Sequence, residues 1–139
     1  MKNRYFLQIA FLFAVISFSS LAGFSQNKEK MILGKWIVTD FKHYDENKEL
    51  DQEATNHYGR MIKNRRTHTY HANGVVDIPG YDNCAWKLEG DMIMIRYSEN
   101  GAWEDELIQK LEDDIMITKD EVDFPSPGQT HVTTYEWVE

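Results

Sequence analysis

Leu33-Gly34-Lys35-Trp36-Ile37-Val38 opens the first of about eight short apolar runs, and the fold class follows from how those runs succeed one another. Glycine at 34 lets the backbone turn sharply. The aromatic and β-branched residues after it suit a pleated, half-buried strand. The same character continues to Tyr44, which predicts a strand over 34–44. Arg65 to Ala72 is the second run and ends on Asn73-Gly74, the dipeptide that best fits a two-residue hairpin. Val75 to Pro79 returns from it. Asn83 to Glu89 and Met92 to Ser98 flank Gly90-Asp91, and Trp103 to Leu111 and Ile115 to Lys119 flank Glu112-Asp113-Asp114. After a break at Pro125-Ser126-Pro127-Gly128, Thr130 to Val138 supplies the eighth strand.

Strands this short, joined by turns this tight, pair antiparallel, because parallel neighbours need long crossovers. An up-and-down barrel removes the open edges of such a meander. A β-sandwich can be built from the same strands, and spacing alone does not separate the two. Two segments read differently. Leu50, Ala54, Tyr58 and Met61 are spaced by four, four and three, which makes one helical face over Lys48 to Ile62. Asp45 or Asn47 would cap that helix, which would cross one end of the barrel as a lid; a long loop is the other reading. A short helix over Asn27 to Leu33, ended by Gly34, leads into the first strand.

Upstream, Lys2 and Arg4 precede an almost wholly apolar run from Tyr5 to Phe18, and Gly23 and Ser25 follow. That order is a secretory signal peptide cut ahead of Gln26. The apolar run is shorter than the roughly 20 residues that span a bilayer. The expectation is residues 1–25 as signal peptide and 26–139 as one domain, periplasmic or secreted, with no stable membrane insertion after cleavage. Losing Lys2 and Arg4 takes the net charge from −8 to −10. So acidic a chain is a poor generic binder of nucleic acid or anionic lipid. The single cysteine, Cys84, forms no internal disulfide and reads as a buried small hydrophobe.

Taken in order, several segments resemble the short secreted lipocalin-like domains of Bacteroidota. They are Leu33-Gly34-Lys35-Trp36, Thr69-Tyr70-His71-Ala72-Asn73-Gly74, Trp86-Lys87-Leu88-Glu89-Gly90-Asp91-Met92-Ile93-Met94-Ile95, Ile108-Gln109-Lys110-Leu111-Glu112-Asp113-Asp114-Ile115 and Tyr135-Glu136-Trp137. The resemblance implies an eight-stranded barrel whose closed end is sealed by the Trp36 indole. It also implies a basic side chain from the last strand stacked on that indole. Asp120 to Glu139 holds no Lys or Arg, so Arg96, Arg65 or Arg66 would have to substitute.

If Trp36 points inward, strict alternation also turns Gly34, Val38 and Asp40 inward and Thr39 outward. The same rule gives a lumen of Trp36, Val38, His68, Tyr70, Trp86, Leu88, Ile95 and Tyr97. Such an aromatic cup suits either a small-molecule pocket or a filled core. Arg60, Lys63, Arg65 and Arg66 gather beside the lid segment, and Arg65 and Arg66 are candidates for recognising an anionic head group. Glu104-Asp105-Glu106 and Glu112-Asp113-Asp114 read as solvated surface. The five histidines show no metal-binding spacing; His68 and His71, three apart on a strand, face opposite ways. No nucleophile elbow or phosphate loop is present. The reading is a carrier of a small apolar or amphipathic molecule, with no metal, cofactor or catalysis. The alternative is an interaction module with a filled barrel and a protein partner of unknown kind.

Overall fold

The computed structural model describes residues 27–62, 66–122 and 127–139. The signal-peptide assignment and Arg65 lie outside them. The chain divides into two units, Met1–Lys30 and Met31–Glu139, and residues 27–32 form a short helix, α1. The second unit holds β1 (Gly34–Tyr44), α2 (Gln52–Ile62), β2 (Thr67–Tyr70), β3 (Val76–Asp77), β4 (Ala85–Glu89), β5 (Met92–Arg96), β6 (Glu104–Leu111), β7 (Ile115–Val122) and β8 (Gln129–Val138).

Paired strands run antiparallel, and β1 pairs with β8, giving the order β3-β2-β1-β8-β7-β6-β5-β4. This is the expected up-and-down, lipocalin-like barrel, closed along all but one line. That last seam, between β3 and β4, is short. A single bridge joins Val75 to Ala85. Val76 N–H donates to the Cys84 carbonyl at 3.2 Å, and Trp86 N–H to that of Gly74 at 2.8 Å. The Trp86 indole N–H adds a bond to the His71 carbonyl at 2.9 Å.

One half of the interior is solid. Ile32, Trp36, Ile93 and Met116 are fully buried, with Tyr70, Val76 and Trp86 packed among them. The Trp36 indole N–H donates to the Ile32 carbonyl at 2.8 Å, so its one polar atom is satisfied inside the core. Of the basic residues expected over this ring, Arg96 stacks with Lys87 on Trp103 instead, at 5.1 and 4.9 Å. Across the barrel wall, Gly34 sits at φ 120° beneath the Trp137 indole, whose nitrogen would lie 2.6 Å from any Cβ added there. Gly34→Ala is therefore expected to cost about 1–3 kcal/mol in backbone strain and displaced indole, read as a lower denaturation midpoint at unchanged m-value.

Strict alternation fails at one place in β1. The pairing with β8 shifts between Val38 and Asp40, a β-bulge, and an extra residue there reverses which side chains face the core. Asp40 is exposed rather than inward, while Phe41 and His43 turn in. A second bulge lies in β6 between Ile108 and Lys110.

The segment after β1 is a helix and not a loop, but it starts later than its apolar spacing implies, and its packed face keeps Ala54 and Tyr58 while losing Leu50 and Met61. Asp51 is the cap, its carboxylate accepting the Ala54 N–H at 2.9 Å. Asp45 instead closes the preceding turn, accepting from Asn47 and Glu49 N–H at 2.9 and 2.8 Å. Leu50 and Met61 are exposed. Thr55, Tyr58 and Ile62 carry that face's contacts. The Thr55 hydroxyl accepts the His43 N–H at 2.9 Å, Tyr58 stacks on His43 with ring centres 5.3 Å apart, and Ile62 joins the core.

Candidate functional site

The other half of the barrel is hollow. A cavity of about 440 Å³ lies where β1, β5 and β7 end and β6 and β8 begin. Val38, Phe41, Ile62 and Ile78 give it an apolar wall. His68, Tyr81, Tyr97, Thr133 and Tyr135 add aromatic and hydrogen-bonding groups, and Glu104, Glu106, Asp120 and His131 add titratable ones. That size and mixture are ordinary for a small-molecule site.

Of the residues that alternation assigned to the lumen, the cavity brings together Val38, His68 and Tyr97. Trp36, Tyr70, Trp86 and Ile95 are buried in the solid half, and Leu88 packs partly buried against it. Tyr70 still bears on the site, since its hydroxyl lies 3.3 Å from His68 Nδ1. Arg66 stands apart from the cavity. It lines an outer groove between α2 and β1, where its Nε donates to the Val38 carbonyl at 3.0 Å. Arg65 falls outside the described residues, so of the proposed anion-recognising pair the one described member is not at the cavity.

The carboxylates are what sequence reading missed. In β6, Glu106 faces the cavity partly buried, Glu104 lines it from an exposed position at the start of the strand, and Asp105 between them is exposed and does not line it. The Thr118 hydroxyl donates to Glu106 at 2.6 Å. Burial pushes the Glu106 carboxyl up to about 7; the Thr118 bond pulls the other way, Asp120 and Glu104 add to the rise, and His131 opposes it. Burial and then Asp120 also raise Glu104. Desolvation and the neighbouring carboxylates hold Tyr97 and Tyr135 far above ordinary phenol values, so both rings stay neutral hydrogen-bonding groups. The signal for this arrangement was alternation itself: Glu104 and Glu106 share the face of Ile108, a residue packed against the core.

Beside the cavity, Phe41, His43, Tyr58 and His131 form a ring cluster, with His43 and His131 opposite one another on β1 and β8, ring centres 5.0 Å apart. Burial, then the neighbouring His131, lowers the His43 pKa, against the pull of Asp51 and Asp45. His131 Nδ1 stands 3.7 Å from Asp120. Among the described residues His43 Nδ1 and His131 Nε2 find no hydrogen-bond partner. Among the described residues no group of three or more His, Cys, Asp or Glu is arranged to hold a metal ion.

His68 is buried at the cavity while His71 is exposed and bonded to Asp77 at 2.7 Å, the opposed placement that their spacing implies. Cys84 is buried, its thiol 3.6 Å from the Tyr97 carbonyl and pushed up by burial and by Asp82 and Asp77, the state of an unreactive core residue. Among the described residues no helix is long and apolar enough to cross a membrane. No family model matches the chain, and no curated protein matches it.

Proposed function

We propose that this protein is exported and binds a small amphipathic molecule non-covalently in the half-barrel cavity, without catalysing a reaction on it. The observation that carries the reading is the division of the interior. One half is packed solid around Trp36, and the other holds an open-mouthed cavity of about 440 Å³ walled by aliphatic and aromatic side chains with polar groups among them. A barrel that served only as a scaffold for surface contacts would gain stability by filling that space, since an unfilled void forfeits dispersion contacts along its lining. The leader-like pattern of residues 1–25 supports export. The lipocalin-like resemblance supports binding within the barrel rather than on its outside.

Protein taken from its own cell is expected to weigh more under native than under denaturing conditions, by one fixed increment of small-molecule size. Equal masses, joined to a Tm that no neutral apolar probe raises, would overturn the reading, because a ligand that binds only the folded state must stabilise it.

A further inference from the structure

We infer that the molecule held in this cavity is an organic cation, a protonated amine on a compact apolar or aromatic body. This rests on the binding reading above and adds the ligand's charge to it. Glu104, Glu106 and Asp120 all line the cavity, and among its described lining residues there is no Lys or Arg. Burial strips Glu106 of hydration, and Glu104 and Asp120, both partly open to solvent and Asp120 3.7 Å from His131, add their charge beside it; a buried carboxylate is stable only when paired and hydrogen-bonded. The Thr118 hydroxyl gives Glu106 one bond at 2.6 Å, whereas a carboxylate offers about four acceptor positions. An ammonium group brings three donors and the missing positive charge.

The rest of the wall suits the same guest. Phe41, Tyr81, Tyr97 and Tyr135 line the space, with the rings of Tyr81 and Tyr97 4.9 Å apart. Ring faces carry negative quadrupoles that attract cations. The aliphatic side chains of Val38, Ile62 and Ile78 then accept the apolar body. An anionic guest such as a fatty acid would set its carboxylate among three others and find no Lys or Arg among the described lining residues, His131 being engaged with Asp120, which reverses the preference that the Arg65-Arg66 pair suggests in the sequence.

A matched trio of probes tests this: phenethylamine, phenethyl alcohol and phenylacetate share one body and differ in charge. Titrated calorimetrically at pH 8, the amine is expected to bind at least about tenfold tighter than the alcohol, with phenylacetate weakest. Amine affinity is expected to fall as pH drops through about 7, where Glu106 takes up its proton. In Glu106→Gln, which keeps the size and the Thr118 contact, the amine's advantage over the alcohol should shrink by about tenfold. If the alcohol or phenylacetate binds as tightly as the amine, or if Glu106→Gln leaves the amine's advantage whole, the cation inference fails and the cavity remains a binding site. If none of the three binds up to about 10 mM, the binding reading fails and takes the inference with it.

Discussion

Trp36→Ala is expected to lower the unfolding free energy by about 3–5 kcal/mol, the range for large aromatics removed from cores. The side chain is fully buried and sits where β1 meets both neighbours, opposite His68 on β2 and Trp137 on β8. Its loss opens a void that Ile32, Ile93 and Met116, themselves fully buried, have little freedom to fill. It also strands the Ile32 carbonyl that the indole N–H satisfies. Against a typical stability of about 5–15 kcal/mol, such a loss leaves a large fraction of molecules unfolded on modest heating. Trp36→Phe separates the two contributions: it retains most of the volume and gives up the hydrogen bond, for about 1–3 kcal/mol. Chemical denaturation reads both. A Trp36→Ala variant as stable as the parent would mean that the solid half is not organised around this ring.

Glu106→Gln is expected to change how stability depends on pH. In the folded barrel Glu106 keeps its proton up to about pH 7, whereas the unfolded chain releases it near 4.5. The folded state therefore holds more protons between those values. Its stability is complete below about 4.5 and declines as pH rises through 7, by at most about 3 kcal/mol for this one group. The amide that replaces the carboxyl cannot ionise and still accepts the Thr118 hydroxyl, so the variant should match the parent in acid and pull ahead of it as pH rises from about 4.5 to about 7. His43 works in the opposite sense. With its pKa depressed, it costs stability as pH falls below 6.5. That slope is common to parent and variant, so the difference between their Tm profiles isolates Glu106. Profiles that stay parallel across the interval from about 4.5 to about 7 would mean that the carboxyl is solvated.

Strand order and most strand limits were legible because turn chemistry is local. Gly90-Asp91 and Asn73-Gly74 mark their hairpins without reference to the rest of the chain, and β1 runs from Gly34 to Tyr44 as its composition implies. Facing was harder, since alternation holds only while pairing is regular. One bulge at Val38–Asp40 exchanged Asp40 for Phe41 and His43. In α2, counting the apolar face from Leu50, which precedes the helix, put Met61 on the packed side in place of Ile62. The division of the barrel into solid and hollow halves was not legible at all. The aromatic residues assigned to the lumen all turn inward or against the core, but how far along the axis each one sits depends on strand stagger. Glu106 was lost in a run of charges read as solvated surface, a reading that fits Glu104 and Asp105, both exposed, but not Glu106.

The seam between β3 and β4 gives the barrel a built-in weak line. From β3 round to β4 by way of β1 and β8 the strands are joined by continuous ladders, while this seam has a single bridge and a two-residue strand on one side. Proteins open first where the fewest bonds must break. Breathing of this wall should therefore be lateral, an unzipping beside Trp86 that begins at Val76 and Cys84 and leaves the β1–β8 junction shut. The indole bond to His71 would be the latch of that seam.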